Sequence, residues 1–295
     1  MKRIALILII AVVALLSWYL FIKPYDYLIT FKIKANTGTI NQSLKVWDLE
    51  LPNSEGIHQH NFENLEQKII FNDSTFILDW KIHPLNDTIS KVKIYTSGNK
   101  YSLKNRMTIP FVDNDFKKRS KSTVIGFTEF LKEHLNSIRI KVVGVDSLAS
   151  TFAIYAPLKK SQFNKARGMM EFYPLLTNFI AENGLEPNGQ PFIEIMDWDM
   201  NKDSIEYNFC FPIKNKDSLP THKDLKYKQI DSFKALKAEY NGNYITSDRA
   251  WYALQDYAKK NNIEIINKPV EVFYNNPNMG GDALQWEAEV YMPIK

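Results

Sequence analysis

Two segments in the last third of the chain, residues 204–213 and 284–294, alternate apolar with acidic or polar side chains. In a strand such alternation places successive side chains on opposite faces. The polar face of the two segments carries Glu206, Asn208, Glu287, Glu289 and Tyr291. Carboxylates and aromatic rings both attract positive charge, so one interpretation is an acidic, aromatic cleft for lipophilic cations. The alternative is an outer sheet face in water, on which glutamate is ordinary.

A second pair of segments, residues 191–199 and 269–275, adds candidates to this face. They are Glu194, Met196 and Trp198 in the first segment and Glu271 and Phe273 in the second. We predict a ligand-binding set made of Glu289, Glu287, Tyr291, Glu206, Asn208, Met196, Trp198 and Phe273. A hydrolase is an alternative use of the cleft, with Glu289 as general base or nucleophile beside a tyrosine. The candidate tyrosines are Tyr240, Tyr244, Tyr274 and Tyr291.

Other chemistries find no support in the sequence. It contains no Gly-x-Ser-x-Gly, Walker, His-Glu-x-x-His or dinucleotide-binding motif. Cys210 is the one cysteine, which excludes an internal disulfide and every multi-cysteine metal site. A calcium-loop spacing begins at Asp197, but Lys202 stands where the loop requires glycine. We therefore predict neither a metal site nor a cofactor.

The candidate residues belong to an internal repeat. Residues 179–186 align with 257–264, 191–195 with 269–272, and 210–214 with 291–295. The three matches keep their order at a spacing of about 80 residues, as expected of a duplicated unit. The first copy predicts strand, helix, strand and strand at residues 150–156, 161–183, 191–199 and 204–213, and the second at 233–240, 246–262, 269–275 and 284–294. The unit is therefore βαββ, used twice.

The duplicated unit resembles the GyrI-like small-molecule-binding domain over residues 138–295. The likeness rests on Tyr240-Asn241-Gly242-Asn243-Tyr244, on Trp251-Tyr252-Ala253-Leu254 and on the final strand from Glu289 to Ile294. The resemblance implies two βαββ halves related by a pseudo-twofold axis, with a ligand cleft between them. Members of that family bind lipophilic, often cationic compounds with a buried glutamate and aromatic walls, and a subset hydrolyses small electrophilic rings. On this likeness Glu289 is the acid that faces the ligand.

The segment before the repeat reads as a sheet closed by a helix. Residues 27–35, 76–82 and 89–95 alternate with period two, whereas residues 113–135 carry apolar side chains at helical spacing. This order resembles the START/polyketide-cyclase-like (SRPBCC) helix-grip domains. The residues that carry the likeness are Ile33-Lys34-Ala35, Trp47, Asp79-Trp80-Lys81-Ile82 and Asn86-Asp87-Thr88. The resemblance implies a cavity for apolar ligands between sheet and helix, and a packed spacer domain is the alternative.

Residues 4–22 form an apolar run interrupted by one serine. At about 1.5 Å per residue the run is long enough to cross a bilayer. Its flanks carry Lys2, Arg3, Trp18 and Tyr19. Basic residues before the run and aromatic residues near its end predict an uncleaved anchor with residues 24–295 outside the cytoplasm, although Lys23, Lys32 and Lys34 oppose this orientation. A cleaved signal peptide and a buried core helix are the alternatives.

The composition predicts a folded protein of ordinary type. The chain has 295 residues, of which 45% are apolar and 24% charged, with a net charge of +4. So small a charge gives no support to nucleic-acid binding. The fold class is therefore α+β, in three parts. We predict a membrane helix at residues 1–23, an antiparallel helix-grip domain at 24–136, and duplicated βαββ units with pseudo-twofold symmetry at 137–295.

These parts together favour a membrane-tethered protein that binds or senses a small lipophilic molecule, cations included. Its predicted partners are that molecule and the membrane, without nucleic acid. Binding is favoured over catalysis because an acid alone does not make an active site. The hydrolase in the same cleft remains one alternative. A protein interaction module whose cleft is filled by its own side chains is the other.

Overall fold

The computed structural model describes residues 2–72, 74–86 and 88–295, without the side chain of Lys2. Two features of the sequence interpretation, Asp87 of the helix-grip likeness and the flanking charge of Lys2, lie outside the described part. The described chain is α+β, with an N-terminal apolar helix and two antiparallel sheets, which confirms the predicted fold class. It divides after Leu131 into two compact units. The sequence places this boundary after residue 136, at the end of the same helix.

The first helix, α1 (Lys2–Ser17), continues into a π-helical turn at Trp18–Ile22. The stretch Arg3–Ile22 is long and apolar enough to cross a membrane, and none of its most apolar window is buried against the described chain. A core helix would bury an apolar face. The structure therefore leaves an anchor or a signal sequence as the explanation of this helix.

The first unit is built on one antiparallel sheet. Its described strands are β1 (Tyr27–Ile33), β2 (Ser54–Asn61), β3 (Asn64–Phe71), β4 (Ser74–Pro84) and β5 (Ser90–Gly98). They lie in the order β1-β5-β4-β3-β2. The helices of this unit are α2 (Thr37–Asp48), α3 (Ser102–Thr108) and α4 (Asp115–Asn136).

Alternation along β4 explains how this sheet packs. Leu78, Trp80 and Ile82 are buried on one face. The Phe127 ring of α4 lies 5.1 Å from the Trp80 ring and 5.5 Å from the Trp47 ring of α2, measured between centroids. These three rings therefore fill space between sheet and helices. The likeness to helix-grip domains stays a prediction.

The second unit contains a larger antiparallel sheet. Its described strands are β6 (Arg139–Leu148), β7 (Thr151–Ser161), β8 (Phe192–Asp199), β9 (Ser204–Pro212), β10 (Lys226–Ile230), β11 (Phe233–Asn241), β12 (Val270–Phe273) and β13 (Glu287–Pro293). Its helices are α5 (Lys165–Glu182) and α6 (Arg249–Lys260). The strand order is β10-β7-β9-β8-β12-β13-β11-β6. Each copy of the repeat thus contributes three adjacent strands in opposite order, and β8 and β12 join the copies. The pseudo-twofold axis stays a prediction.

One face of the larger sheet receives α5. The Tyr207 hydroxyl on β9 donates to the Lys165 carbonyl at 2.8 Å. Gly168 lies directly over Tyr207, where a Cβ atom would collide with that hydroxyl, so a glycine allows this close approach. The opposite face has its own apolar cluster. It consists of Ala153, Phe192, Cys210, Ile230, Ala235, Val270 and Tyr291.

Candidate ligand-binding cavity

A cavity of about 840 Å³ lies between α5 and the larger sheet. Sites for small molecules commonly enclose about 300–1,000 Å³. Its apolar wall includes Met169, Met170, Tyr173, Phe209, Phe211 and Phe273. Methionine side chains are flexible and polarisable, so the α5 side of the wall can adapt to more than one ligand shape.

The polar part of the lining is neutral. Among the residues that the structure describes, the lining contains no Asp, Glu, Lys, Arg or His. The polar side-chain groups include five amides and four hydroxyls, from Gln190, Asn243, Asn275, Asn276, Asn278, Thr177, Tyr173, Tyr244 and Tyr274. Such groups offer hydrogen bonds without net charge. The cavity therefore combines a large apolar wall with an uncharged polar rim.

The rim is fixed by contacts around Tyr244. Its hydroxyl donates to the Glu287 carbonyl at 2.6 Å and accepts from the Asn275 backbone N–H at 3.1 Å. Its ring centroid lies 4.8 Å from that of Phe273. The side-chain amide of Asn276 donates to the Tyr173 hydroxyl at 3.3 Å. The loop between β12 and β13 is thereby connected to the sheet and to α5.

A buried ion pair flanks the cavity. Lys165 Nζ lies 2.9 Å and 2.8 Å from the two carboxylate oxygens of Glu271, and 2.7 Å from Ser247 Oγ. Both charged side chains are fully buried. Lys165 Nζ also lies 5.0 Å from the centroid of the Trp251 ring. Burial raises the pKa of Glu271, while Lys165 and Ser247 oppose that rise.

The ion pair is adjacent to the lining without belonging to it. Lys165 directly precedes Ala166, a lining residue, and Glu271 lies on the same face of β12 as Phe273. Because the two charges are in contact, they largely cancel at the cavity. The surroundings of a bound molecule are therefore close to neutral.

The cavity lies in the part of the chain that the family comparison covers. Residues 160–295 match the model of the GyrI-like small molecule binding domain. The C-terminal half contains a GyrI-like domain. The match confirms the resemblance predicted from the repeat and the terminal strand.

Solved structures with likeness to the GyrI-like domain share little sequence with it. The EcmrR C-terminal domain has 13% identity and a TM-score of 0.44, with 54% of this chain and 98% of that chain covered. The structure of SAV2435 bound to tetraphenylphosphonium has 11% identity and a TM-score of 0.36, with coverages of 53% and 94%. A hydrolase from Listeria innocua has 7% identity and a TM-score of 0.35, with coverages of 56% and 98%. No curated protein matches the chain.

Glu289 lies on the sheet face away from α5. Its Oε1 atom is 2.6 Å from Lys237 Nζ, and its Oε2 atom accepts from the hydroxyls of Tyr274 and Tyr291, each at 2.7 Å. Partial burial opposes ionisation, but these donors lower the pKa of Glu289 below its ordinary value. Two of the four candidate tyrosines are thus within hydrogen-bond reach. The donors favour a stable carboxylate, whereas a general base needs a pKa nearer neutrality.

The other predicted ligand-binding residues are dispersed. Glu206 is exposed and pairs with Lys159, and Glu287 and Met196 are exposed. Asn208 is buried on the Glu289 face and donates to Glu194. Trp198 is buried with the rings of Trp251 and Tyr252. Of the eight residues in the predicted set, only Phe273 lines the cavity among the described residues.

Sequence reasoning missed the part of the wall that α5 supplies. Met169, Met170 and Tyr173 belong to the helix of the first repeat, which contributes no residue to the predicted set. One signal was available in the sequence, because the adjacent Met169 and Met170 widen the apolar side of this helix. The asparagine-rich stretch Asn275-Asn276-Pro277-Asn278 was a second signal, since such loops place polar groups at the mouths of sites.

Proposed function

We propose that the GyrI-like domain binds an uncharged, mostly apolar small molecule in the cavity beneath α5. The observation that carries this proposal is the lining, which is large, aromatic and without a charged side chain among the described residues. Burial of apolar surface yields about 25 cal/mol per Å². Transfer of an unpaired ion into such surroundings is unfavourable. A neutral ligand therefore gains free energy from burial against the apolar wall without the unfavourable desolvation of a charge.

The rim supports the same ligand class in more detail. The lining contains the amide groups of Asn243, Asn276 and Asn278 as well as the methionines of α5. A ligand with one polar end and an apolar body would satisfy both. Its polar end would carry hydroxyl, carbonyl or amide groups, because these match the donors and acceptors of amides.

The predicted preference for cations finds less support than a preference for neutral ligands. It rested on Glu289, which lies on the other sheet face and is already paired with Lys237. Strand β12 carries one carboxylate, that of Glu271, two residues before the lining residue Phe273. Lys165 neutralises its charge. A cationic ligand would therefore have to compete with a lysine of the protein.

Two dyes of opposite character test the proposal. A fragment of residues 24–295 omits the exposed apolar helix and retains every wall of the cavity. We expect saturable binding of the neutral dye Nile red, measured by fluorescence, at least tenfold tighter than binding of the cationic dye rhodamine 6G. Ala166→Phe, which narrows the cavity, should abolish Nile red binding. Asn178→Phe on the exposed side of the same helix is the matched control.

Equal or tighter binding of the cation would contradict the neutral-ligand proposal. Binding of Nile red that survives Ala166→Phe would contradict the cavity as its site. Both comparisons are made on variants whose thermal unfolding matches that of the parent fragment, so that loss of fold is not read as loss of binding.

The apolar helix supports a second part of the proposal, namely that the protein is tethered to a membrane with residues 24–295 outside the cytoplasm. The span Arg3–Ile22 is preceded by positive charge and ends at aromatic residues. A GyrI-like domain held there would sense molecules without direct contact with DNA.

Reporters fused after Lys295 test this orientation. Alkaline phosphatase, which is active only outside the cytoplasm, should be active, and a cytoplasm-dependent fluorescent protein should be dark. The reverse pattern would overturn the orientation. Release of a shortened protein from the membrane fraction would show that the helix is a cleaved signal.

A further inference from the structure

A short segment of the first unit exposes apolar side chains in unusual density. Residues 101–112 comprise α3 and the turn that follows it, and their exposed apolar residues are Tyr101, Leu103, Met107, Phe111 and Val112. Phe111 is 87% exposed and Met107 is 56% exposed. Leu103 and Met107 are four residues apart on α3, which places them on one side of the helix, and Phe111 follows in the turn after it. We call residues 101–112 the α3 patch.

Basic residues border the α3 patch. Lys100 and Lys104 are exposed at its start and within it. Beyond it, the exposed Asp113 and Asp115 are paired with Lys117 and Arg119, and Lys118 is exposed. Exposed apolar groups that are clustered and rimmed by polar residues mark interaction surfaces. Lysines beside aromatic and aliphatic residues are the composition of segments that lie in the interface of an anionic membrane.

The α3 patch is attached to the end of the apolar helix. Arg106 on α3 donates from Nη1 to the Leu20 carbonyl at 3.1 Å and from Nε to Asp26 Oδ1 at 2.7 Å. Asp26 is buried and also accepts from Ser102 and from the Gly98 backbone N–H. These contacts fix α3 beside the point where the chain leaves the span.

The sheet register places the patch and the span at the same end of the first unit. Tyr27, at the start of β1, pairs with Thr96, just before β5 ends, and Ile33 pairs with Ser90. The chain therefore enters α3 at the end where it left the span. Leu85, which follows β4, is at the other end, because Pro84 also pairs with Ser90. At about 3.3 Å per residue the two ends of β1 are roughly 20 Å apart.

We propose that the α3 patch lies in the interface of the membrane that the apolar helix spans. Leu103, Met107 and Phe111 enter the boundary between headgroups and acyl chains, and the bordering lysines meet anionic headgroups. The inference rests on the proposed tether, since it is the span that brings the patch to the bilayer. The result is a second contact that restricts rotation of the first unit about its anchor.

Site-directed fluorescence in the full chain tests this contact. Cys210 is fully buried and burial raises the pKa of its thiol, so added cysteines are the reactive ones. The variants Phe111→Cys, Leu85→Cys and Val12→Cys replace exposed apolar residues in the patch, at the far end and in the span. Each is labelled with the environment-sensitive dye NBD and reconstituted into vesicles of phosphatidylcholine and phosphatidylglycerol.

We expect a blue-shifted emission, quenched by lipids with nitroxides near the headgroup, at residues 12 and 111. The dye at residue 85 should show the unshifted emission of an aqueous environment. A blue shift at residue 12 with residue 111 in water would overturn the α3 contact and leave the tether intact. Water at residue 12 would overturn the tether and this inference with it. A blue shift at all three positions would also overturn the inference, because it would show that contact with the membrane is not specific to the α3 patch.

Discussion

The two helices of the GyrI-like domain cover the sheet differently. Beneath α5 lies the cavity, whereas the corresponding part of α6 is filled by aromatic rings. Trp251 of α6 is fully buried, and its ring centroid lies 5.0 Å from that of Trp198 in an edge-to-face arrangement. Tyr252 packs on Trp198 at 5.5 Å. The space beneath α5, which residues of both repeats line, is thus open, whereas the space beneath α6 is filled by side chains.

A polar network completes the filled side. The Trp198 indole N–H donates to Gln162 Oε1 at 2.8 Å, and the Gln162 amide donates to Asp248 at 2.6 Å and to Tyr252 at 2.8 Å. Buried polar groups that are satisfied in this way define one packing arrangement. The network therefore fixes how Trp198 and Tyr252 pack on the filled side.

The repeat alignment shows where the difference arises. It pairs Tyr173 on α5 with Trp251 on α6, and Tyr173 lines the cavity while Trp251 fills the equivalent space. The comparison shows that the two repeats have similar frames and that side-chain volume leaves the space beneath α5 open.

The largest effect is expected at Trp251. Trp251→Ala removes a fully buried indole and should lower the free energy of unfolding by about 3–5 kcal/mol, from lost transfer energy and the void left behind. Tyr173→Ala, at the aligned position, should lower it by less than about 1.5 kcal/mol because the tyrosine already borders open space. Urea unfolding of both variants measures the difference. Equal losses would contradict the division into a filled and an open side.

A comparable loss is expected when the buried ion pair is broken. Lys165→Met leaves the Glu271 carboxylate buried without its partner, which typically costs about 3–5 kcal/mol. The double variant Lys165→Met/Glu271→Leu removes both charges and should recover most of that loss. Thermal and urea unfolding follow the three proteins. No recovery in the double variant would show that packing of the lysine stem, rather than charge pairing, is the main contribution.

The periodic parts of the fold were predictable because burial on one face leaves a local pattern. In β4 every second residue from Leu78 to Ile82 is buried, and the sequence alternates accordingly. The start of a helix differed from its prediction where a residue distant in the sequence forms a hydrogen bond with the first turn. The helix expected from residue 161 begins at Lys165, because Gln162–Asn164 form a 3₁₀ turn whose Gln162 side chain bonds to Asp248.

The site was less predictable than the fold. Alternation sorted Glu289 from Val290 correctly, since they lie on opposite faces. It carried no information on which face encloses empty space, because that depends on the volumes of side chains that pack from α5 and α6. Pairing was also hidden, as Lys165 and Glu271 are 106 residues apart in the chain. The near-zero net charge of the groups beside the cavity depends on that long-range contact.

Acid should weaken the filled side through His134. Burial and the nearby Arg249 charge lower the pKa of His134 to about 4, although Asp248 opposes them. The unfolded chain binds this proton near pH 6.5, so the His134 contribution is complete above pH 6.5 and is lost as the pH falls towards 4. We expect a loss of about 2 kcal/mol, with allowance for partial exposure.

The measurement is the free energy of unfolding at pH 7 and pH 4.5 for the native chain and for His134→Gln. Other acids titrate in the same interval, so the informative quantity is the difference between the two proteins. A pH dependence that is unchanged by the substitution would show that His134 is not responsible for it.

The smallest effect on ligand binding is expected at Glu289, where the two faces of the sheet give opposite outcomes. As a ligand-facing acid, Glu289 should lose cation binding on Glu289→Gln, with neutral ligands less affected. In the structure Glu289 does not line the cavity and is held by Lys237, Tyr274 and Tyr291. We therefore expect less than a twofold change in Nile red affinity, together with about 1–3 kcal/mol of lost stability from the charged hydrogen bonds. A selective loss of rhodamine 6G binding would instead place a second, acidic site on that face, and the contrast between the open and filled sides would no longer account for all binding by the domain.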